Sequence, residues 1–457
     1  MTHSPVTVAA AVQKGKTDGP AVPRRKSNLV VLGGSMVIDG GEGSVVQTLF
    51  PVIQAALGLA TSALGILAAS ARLVGAIAGP LWVYLARKLG RKPILAIATG
   101  FWGAWGIAAG FAQDFVQLVI LYTVMAAGTA AAHAIVPTVI ADSFEDRKRG
   151  RVVGVLYGGT AAAASLLAPL IGQLANIEDG WRYGFFAFGA INMLFGLLIV
   201  IFYKDPGEGA SEAQLGSFTQ AERDAAETKI TWAKVVGLLR IPSYVILLGS
   251  RLLSSHLLLA AFGVVLLVQE YGFDTALAAT IMAPFGLGYL AGTFVGGLTA
   301  DWANKLSVNH GRVAFLQFAQ VLFAVIAFFA TQFDYGSIVP FLALFALVGL
   351  AQGLNPGVNR PLVMSVVPPE LRGAAFAIFV SVIESIGFAI YTLVGGFLAD
   401  EIGLKAVMFW LVVVIMLVNA LFLTLLYRPY KHDRLKLQAE LDSRRDAILA
   451  AERAENG

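Results

Sequence analysis

Twelve apolar runs, each long enough to cross a bilayer and closed by a short polar loop, govern what this sequence can fold into. They fall at 29–54, 61–86, 93–112, 115–141, 151–175, 181–203, 243–268, 276–300, 312–331, 338–364, 374–399 and 405–427. A hydrocarbon core of about 30 Å takes roughly 20 apolar residues as a helix. Only helices and closed barrels satisfy their own backbone in lipid, and barrel strands are half this length. The predicted fold class is therefore all-α, a polytopic membrane protein of twelve transmembrane helices. Only 14% of the residues are charged, against about 25% in soluble domains, and the charges gather in the loops.

Those loops form two sets. One carries Arg87, Lys88, Arg91, Lys92, Arg147, Lys148, Arg149, Arg151, Lys305, Arg312 and Arg372, together with both tails. The other is acidic, with Asp114, Glu178, Asp179, Glu270, Asp274, Asp334, Asp400 and Glu401. The positive-inside rule predicts a multi-pass protein of the plasma (inner) membrane with both termini in the cytoplasm. The net charge of +4 then belongs to loops facing anionic lipid, so membrane lipids are expected partners and nucleic acid is not.

One connection is long, residues 204–242, and its end from Trp232 to Leu239 reads as an interfacial helix. The predicted division is a disordered tail at 1–28, a six-helix bundle at 29–203, a cytoplasmic linker at 204–242, a second six-helix bundle at 243–427 and a cytoplasmic tail at 428–457. In that last tail, Lys431 to Arg453 reads equally as a surface helix or a solvated segment. The two bundles repeat each other. Arg149-Gly150 before one helix has its counterpart in Arg372-Gly373 before another, and Pro169–Leu174 corresponds to Gly395–Leu398. Repeated halves imply a pseudo-two-fold pair of bundles with a path between them.

The loop signatures add a resemblance. Leu85-Ala86-Arg87-Lys88-Leu89-Gly90-Arg91-Lys92, Gly297-Leu298-Thr299-Ala300-Asp301, Gly396-Phe397-Leu398-Ala399-Asp400, Asp142-Ser143-Phe144, Gly180-Trp181-Arg182 and Pro368-Pro369-Glu370-Leu371-Arg372-Gly373 are similar to motifs of the major facilitator superfamily. The resemblance implies a secondary transporter working by alternating access as a monomer. It also implies gating roles for Asp142, Arg149, Asp301 and Arg372, with Asp301 and Arg372 as a candidate latch. The sequence departs from the pattern where the superfamily's Asp after the second span is Arg87 and its Gly is Val83, and where the span-4 Arg falls at Tyr122. Phe115 to Arg149 resembles spinster-like lysolipid transporters, although Thr129 replaces their Glu. Asp39-Gly40-Gly41-Glu42 with Pro51 resembles aromatic-acid:proton symporters. The two point to different substrates.

Ionisable groups inside the membrane cost at least about 2.5–3.5 kcal/mol each and default to functional candidates. Asp39 lies roughly 15 Å into the first span, and Glu42, three residues on, shares its face. Two carboxylates that close do not both ionise cheaply in a low dielectric, which suits a proton-coupling site; the structural alternative is a hydrogen-bonded pair fixing a Gly-rich helix. Arg251 and His256 lie in span 7, the pseudo-repeat partner of span 1. Arg251 is a candidate either to bind an anionic substrate group or to serve as counter-ion to the carboxylates. His133, Asn355, Asn359, Glu384 and Tyr391 complete the candidate substrate-binding set, while Arg72 reads first as a structural pairing. No P-loop, metal spacing or dinucleotide turn occurs, and cysteine is absent, so no enzyme activity, metal or cofactor is expected. The proton gradient is the expected energy source and a small-molecule or lipid-like solute, most simply an anion, the expected substrate. An exporter uncoupled at Asp39 and a non-transporting sensor are the alternatives.

Overall fold

A computed structural model describes residues 25–144, 146–207 and 232–455. Twelve helices among them are long and apolar enough to cross a membrane. They are α1 (Lys26–Leu57), α2 (Ser62–Leu89), α3 (Arg91–Gly110), α4 (Phe115–Ile140), α5 (Gly158–Asn176), α6 (Gly180–Phe202), α7 (Pro242–Tyr271), α8 (Thr275–Leu306), α9 (Gly311–Gln332), α10 (Ile338–Val366), α11 (Pro369–Ile402) and α12 (Leu404–Ser443). The described residues contain no strand. Every predicted run has its helix, and most helices overrun the apolar stretch by a turn, because charged loop residues continue a helix once it leaves the hydrocarbon. α2, for instance, runs on through Arg87 and Lys88 until Gly90, at φ 91°, ends it.

The first predicted boundary needs correction. Residues 1–24 and 208–231 lie outside the described ones, but helix begins at Arg25 rather than after residue 28. The reason is local. Asn28 is buried, donates to the Lys204 carbonyl at 2.7 Å and accepts from the Lys204 amide at 3.1 Å, bolting the start of α1 to the end of α6. The segment predicted to be interfacial is a short helix at Trp232–Gly237 followed by a 3₁₀ turn through Arg240, with Leu238 buried against the second half.

α1–α6 and α7–α12 form the two halves. Twelve crossings bring both ends to one face, called here the terminal face. Across the seam α2 packs along α11 and α5 along α8. The α2–α11 crossing is a backbone contact, since a Cβ on Gly65 would meet the Thr392 carbonyl and Gly396 lies over Ser62 and Gly65. On the other seam, Ser165 donates to the Ala283 carbonyl at 2.5 Å and accepts from the Gly286 amide at 3.1 Å.

Toward the face opposite the termini, polar groups also tie the halves. Asp400, at the end of α11, accepts from the Thr61 amide at 2.7 Å and the Ser62 amide at 3.2 Å, so it caps α2 from the other half. Gln269 of α7 donates to Gln54 of α1 at 3.0 Å and to Thr61 at 3.3 Å.

Three helices contain π-helical turns, at Ile97–Phe101 in α3, Ala377–Ile383 in α11 and Met408–Val414 in α12. Such turns often mark functional sites. α7 is broken between Leu252 and Leu257. α12 continues without a stop into a helix that reaches Glu455. Buried Asp433 accepts from the Ser243 amide at 2.9 Å and its hydroxyl at 2.7 Å, capping the start of α7; Arg434 donates to Asn309 at 2.7 Å.

Candidate functional site

The polar interior resolves into two clusters. The first lies inside the N-terminal half. Asp39 and Glu42 are 5% and 1% exposed, whereas Gly40 on the neighbouring face of α1 is open. Glu42 accepts from the side-chain amide of Asn192 of α6 at 2.7 Å. Asp39 Oδ2, Glu42 Oε1 and Asn192 Oδ1 are buried without a hydrogen-bond partner. Thr99, Trp102 and Gly103 of α3 and Met125 and Thr129 of α4 close the space around them. Two features bring the helices this near: the π-turn of α3 beside the pair, and Gly106, where a Cβ would stand on the Glu42 carboxylate. The i, i+3 spacing does put both carboxylates together, as expected. Arg251 is not their counter-ion, because the pair is turned into its own bundle and Arg251 is held elsewhere.

The second cluster lies on the seam. Glu384 of α11 follows directly on the π-turn Ala377–Ile383. One of its oxygens accepts from Arg72 Nη2 of α2 at 2.9 Å. The other accepts from Arg251 of α7, from Nε at 3.1 Å and from Nη2. One carboxylate thus bridges two guanidiniums from opposite halves. Phe388 and Phe379 lie under Arg72 and Arg251 at 5.6 Å from each ring centre, a cation–π arrangement. Arg72 keeps 41% of its side chain exposed, and a charged group at mid-span favours the bundle interior or water over lipid. Tyr289 of α8 and His133 of α4 lie within electrostatic reach, Tyr289 of Glu384, Arg251 and Arg360, and His133 of Arg72. The break in α7 begins just past Arg251, and His256 ends it, buried edge-on against Phe323 with Nδ1 unpartnered.

The remaining candidates scatter. Asn355 is buried inside the C-terminal half, accepting from Gln320 of α9 at 2.6 Å and donating to the Gln352 carbonyl. Asn359 is half-buried one turn on, and Tyr391 is half-buried against the core. Asp301 pairs with Arg312 at 3.2 Å and not with Arg372, because the short α8–α9 loop puts Arg312 beside it first. Asp142 pairs with Arg91 at 2.5 Å within the N-terminal half. The side chain of Arg149 lies outside the described residues. Sequence reasoning passed over Asn192, although a lone amide in the run Phe188–Leu198 was its signal. It also passed over Tyr289 and the capping role of Asp400.

A family model described as Major Facilitator Superfamily matches residues 32–308 and 259–451. The chain is 25% identical over 84% of its length to the probable 4-methylmuconolactone transporter of Cupriavidus pinatubonensis, covering 86% of that protein. It is 24% identical to the sialic acid transporter of Escherichia coli strain K12, over 74% of this chain and 78% of that one. Among solved structures, a bacterial homologue of the human lysosomal transporter spinster, in an inward-facing and unoccupied conformation, superposes with a TM-score of 0.73 at 17% identity, over 92% of this chain and 99% of that one.

Proposed function

We propose that this chain, which belongs to the Major Facilitator Superfamily and is therefore a multi-pass membrane transporter rather than an enzyme, moves a small organic anion by alternating access in symport with protons. The observation that carries the reading is the seam cluster. Arg72 and Arg251 come from opposite halves, and two guanidiniums against one carboxylate leave an excess of positive charge at the seam. Rocking the halves changes the separation of the two arginines, so an anion held between them is held differently in the two states, as alternating access requires. The names of the two relatives, a muconolactone and a sialic acid transporter, agree with an organic acid or its close kin.

Asp39 and Glu42 supply the coupling. Burying an unpaired charge costs several kcal/mol, and no basic side chain among the described residues pairs with either carboxylate. A proton taken up from water removes that cost, and Glu42 stays held by Asn192 in either state. The basic loops of the terminal face argue for both termini in the cytoplasm of the plasma membrane. The ties at the opposite face, together with the inward-facing state of the spinster homologue, favour a carrier open to the cytoplasm. Two bundles, 29–203 and 243–427, would suffice as a monomer.

Proteoliposomes loaded with a pH-sensitive dye test this. Aromatic and aliphatic carboxylates, lysolipids and cationic drugs are added in turn to the parent and to Asp39→Asn. Lumenal acidification driven by a carboxylate and lost in Asp39→Asn is the expected result. Proton movement that survives the substitution removes Asp39 from the coupling. Flux of a labelled compound with no proton movement replaces symport by facilitated transport or export.

A further inference from the structure

Glu384 occupies the place where a transported anion would be most stable. It sits between the only two arginines that the described structure brings together from opposite halves, one oxygen on each, with an aromatic ring under each guanidinium. Charge-assisted hydrogen bonds from guanidiniums to carboxylate oxygens are the means by which arginine binds a carboxylate ligand. Arg72 is 41% exposed while Arg251 and Glu384 are 13% and 12% exposed, so the cluster is approached from its Arg72 end. The π-helical turn Ala377–Ile383 ends at Glu384, and the unwound stretch of α7 starts just beyond Arg251. Both elements that carry the pair can therefore readjust locally without unwinding a continuous helix.

We propose that Glu384 is a resident ligand: in the unloaded carrier its carboxylate fills a carboxylate subsite made by Arg72 and Arg251, and a transported carboxylate must displace it. The inference rests on the organic-anion reading above and narrows it to solutes bearing a carboxylate. It explains how an empty carrier holds its halves together at mid-span, because Glu384 neutralises what would otherwise be two bare guanidiniums facing each other. It also fixes a direction of effect. A ligand that competes with an internal group has its apparent affinity reduced by the fraction of time the site is free. Removing the competitor strengthens binding.

Binding of benzoate to the purified, full-length carrier tests this, read as the rise in its thermal unfolding midpoint with concentration. Benzamide and chloride at matched ionic strength serve as controls. If Glu384 leaves the subsite about a tenth of the time, benzoate should bind Glu384→Gln about tenfold more tightly than the parent. The gain should vanish when Arg72→Gln is added, and benzamide should show no gain. Equal benzoate affinity in parent and Glu384→Gln, or a gain shared by benzamide, overturns the proposal. Should Glu384→Gln not fold, Glu384→Asp keeps the charge but shortens the reach, so it should also bind benzoate more tightly than the parent; an unchanged affinity overturns the proposal there too. The assay needs neither flux nor protons. Failure here leaves the transport reading intact, and failure of the proton assay leaves this one standing.

Discussion

Replacing Asp400 by Asn should loosen the closure of the face opposite the termini. Asp400 supplies α2 with a cap that its own chain does not: Thr61 has helical backbone angles and makes no side-chain cap bond. The carboxylate instead takes the first free amides of α2 from across the seam, at 2.7 and 3.2 Å. A charge-assisted hydrogen bond contributes about 1.5–3 kcal/mol when shielded, but Asp400 is exposed, where a charge at a helix end is worth about 0.3–1 kcal/mol. Two such bonds and one helix end give about 1–2 kcal/mol. The ratio of closed to open carriers should then fall by about 5- to 30-fold. The chain has no cysteine, so spin labels can be attached without background at Glu178→Cys and Glu401→Cys, exposed positions in opposite halves on that face. Electron–electron distance measurements would show a longer population growing in the Asp400→Asn carrier. A distance distribution identical to the parent's would refute the reasoning and reduce the cap to a local detail of the loop.

Three other outcomes follow from the geometry. Asp433→Ala leaves the buried Ser243 amide and hydroxyl unpaired and should cost about 2 kcal/mol, seen as a midpoint lowered by a few degrees in detergent; an unshifted midpoint would count against docking of the tail. Gly106→Ala drives a methyl onto the Glu42 carboxylate and should abolish proton movement in liposomes while leaving benzoate binding at the seam unchanged, because the two clusters lie in different places. Arg251→Lys replaces a fork that makes two bonds to Glu384 by a point charge, and should weaken carboxylate binding about tenfold, a loss of about 1.4 kcal/mol, measured by the same thermal shift.

The sequence made the helices legible because hydropathy is a local property. Length and polarity alone gave twelve runs, and the structure moves most of their ends by about a turn or less; the larger shifts are the start of α5 at Gly158, the end of α8 at Leu306 and the end of α12 at Ser443. The i, i+3 spacing of Asp39 and Glu42 was equally local, and it survives as a shared site. What hydropathy does not carry is the rotation of one helix against another. On sequence grounds Arg251 was a candidate for an anionic substrate group or for counter-ion to the α1 carboxylates; its pairing with Glu384 depends on which face of α7 meets the seam. The Arg72–Glu384 pair spans 312 positions, so no window of sequence contains it. The break in α7 was hidden because Ser254 and Ser255, between Leu253 and His256, are small polar residues that read as tolerated members of a helix. The serines do mark the place, since Ser254 donates to the Ser250 carbonyl at 3.0 Å, one turn back, where the helix lets go.

That break makes α7 a jointed strut with its two pieces fastened to different masses. The outer piece is fixed to α1 through Gln269 and Gln54, and the inner piece to the tail helix through Ser243 and Asp433. Relative motion of the halves can be taken up at this joint, beside Arg251. A fluorophore on exposed Leu435, two residues past the fastening point, would ride on the inner piece and convert events at the seam into an optical signal without touching the cavity.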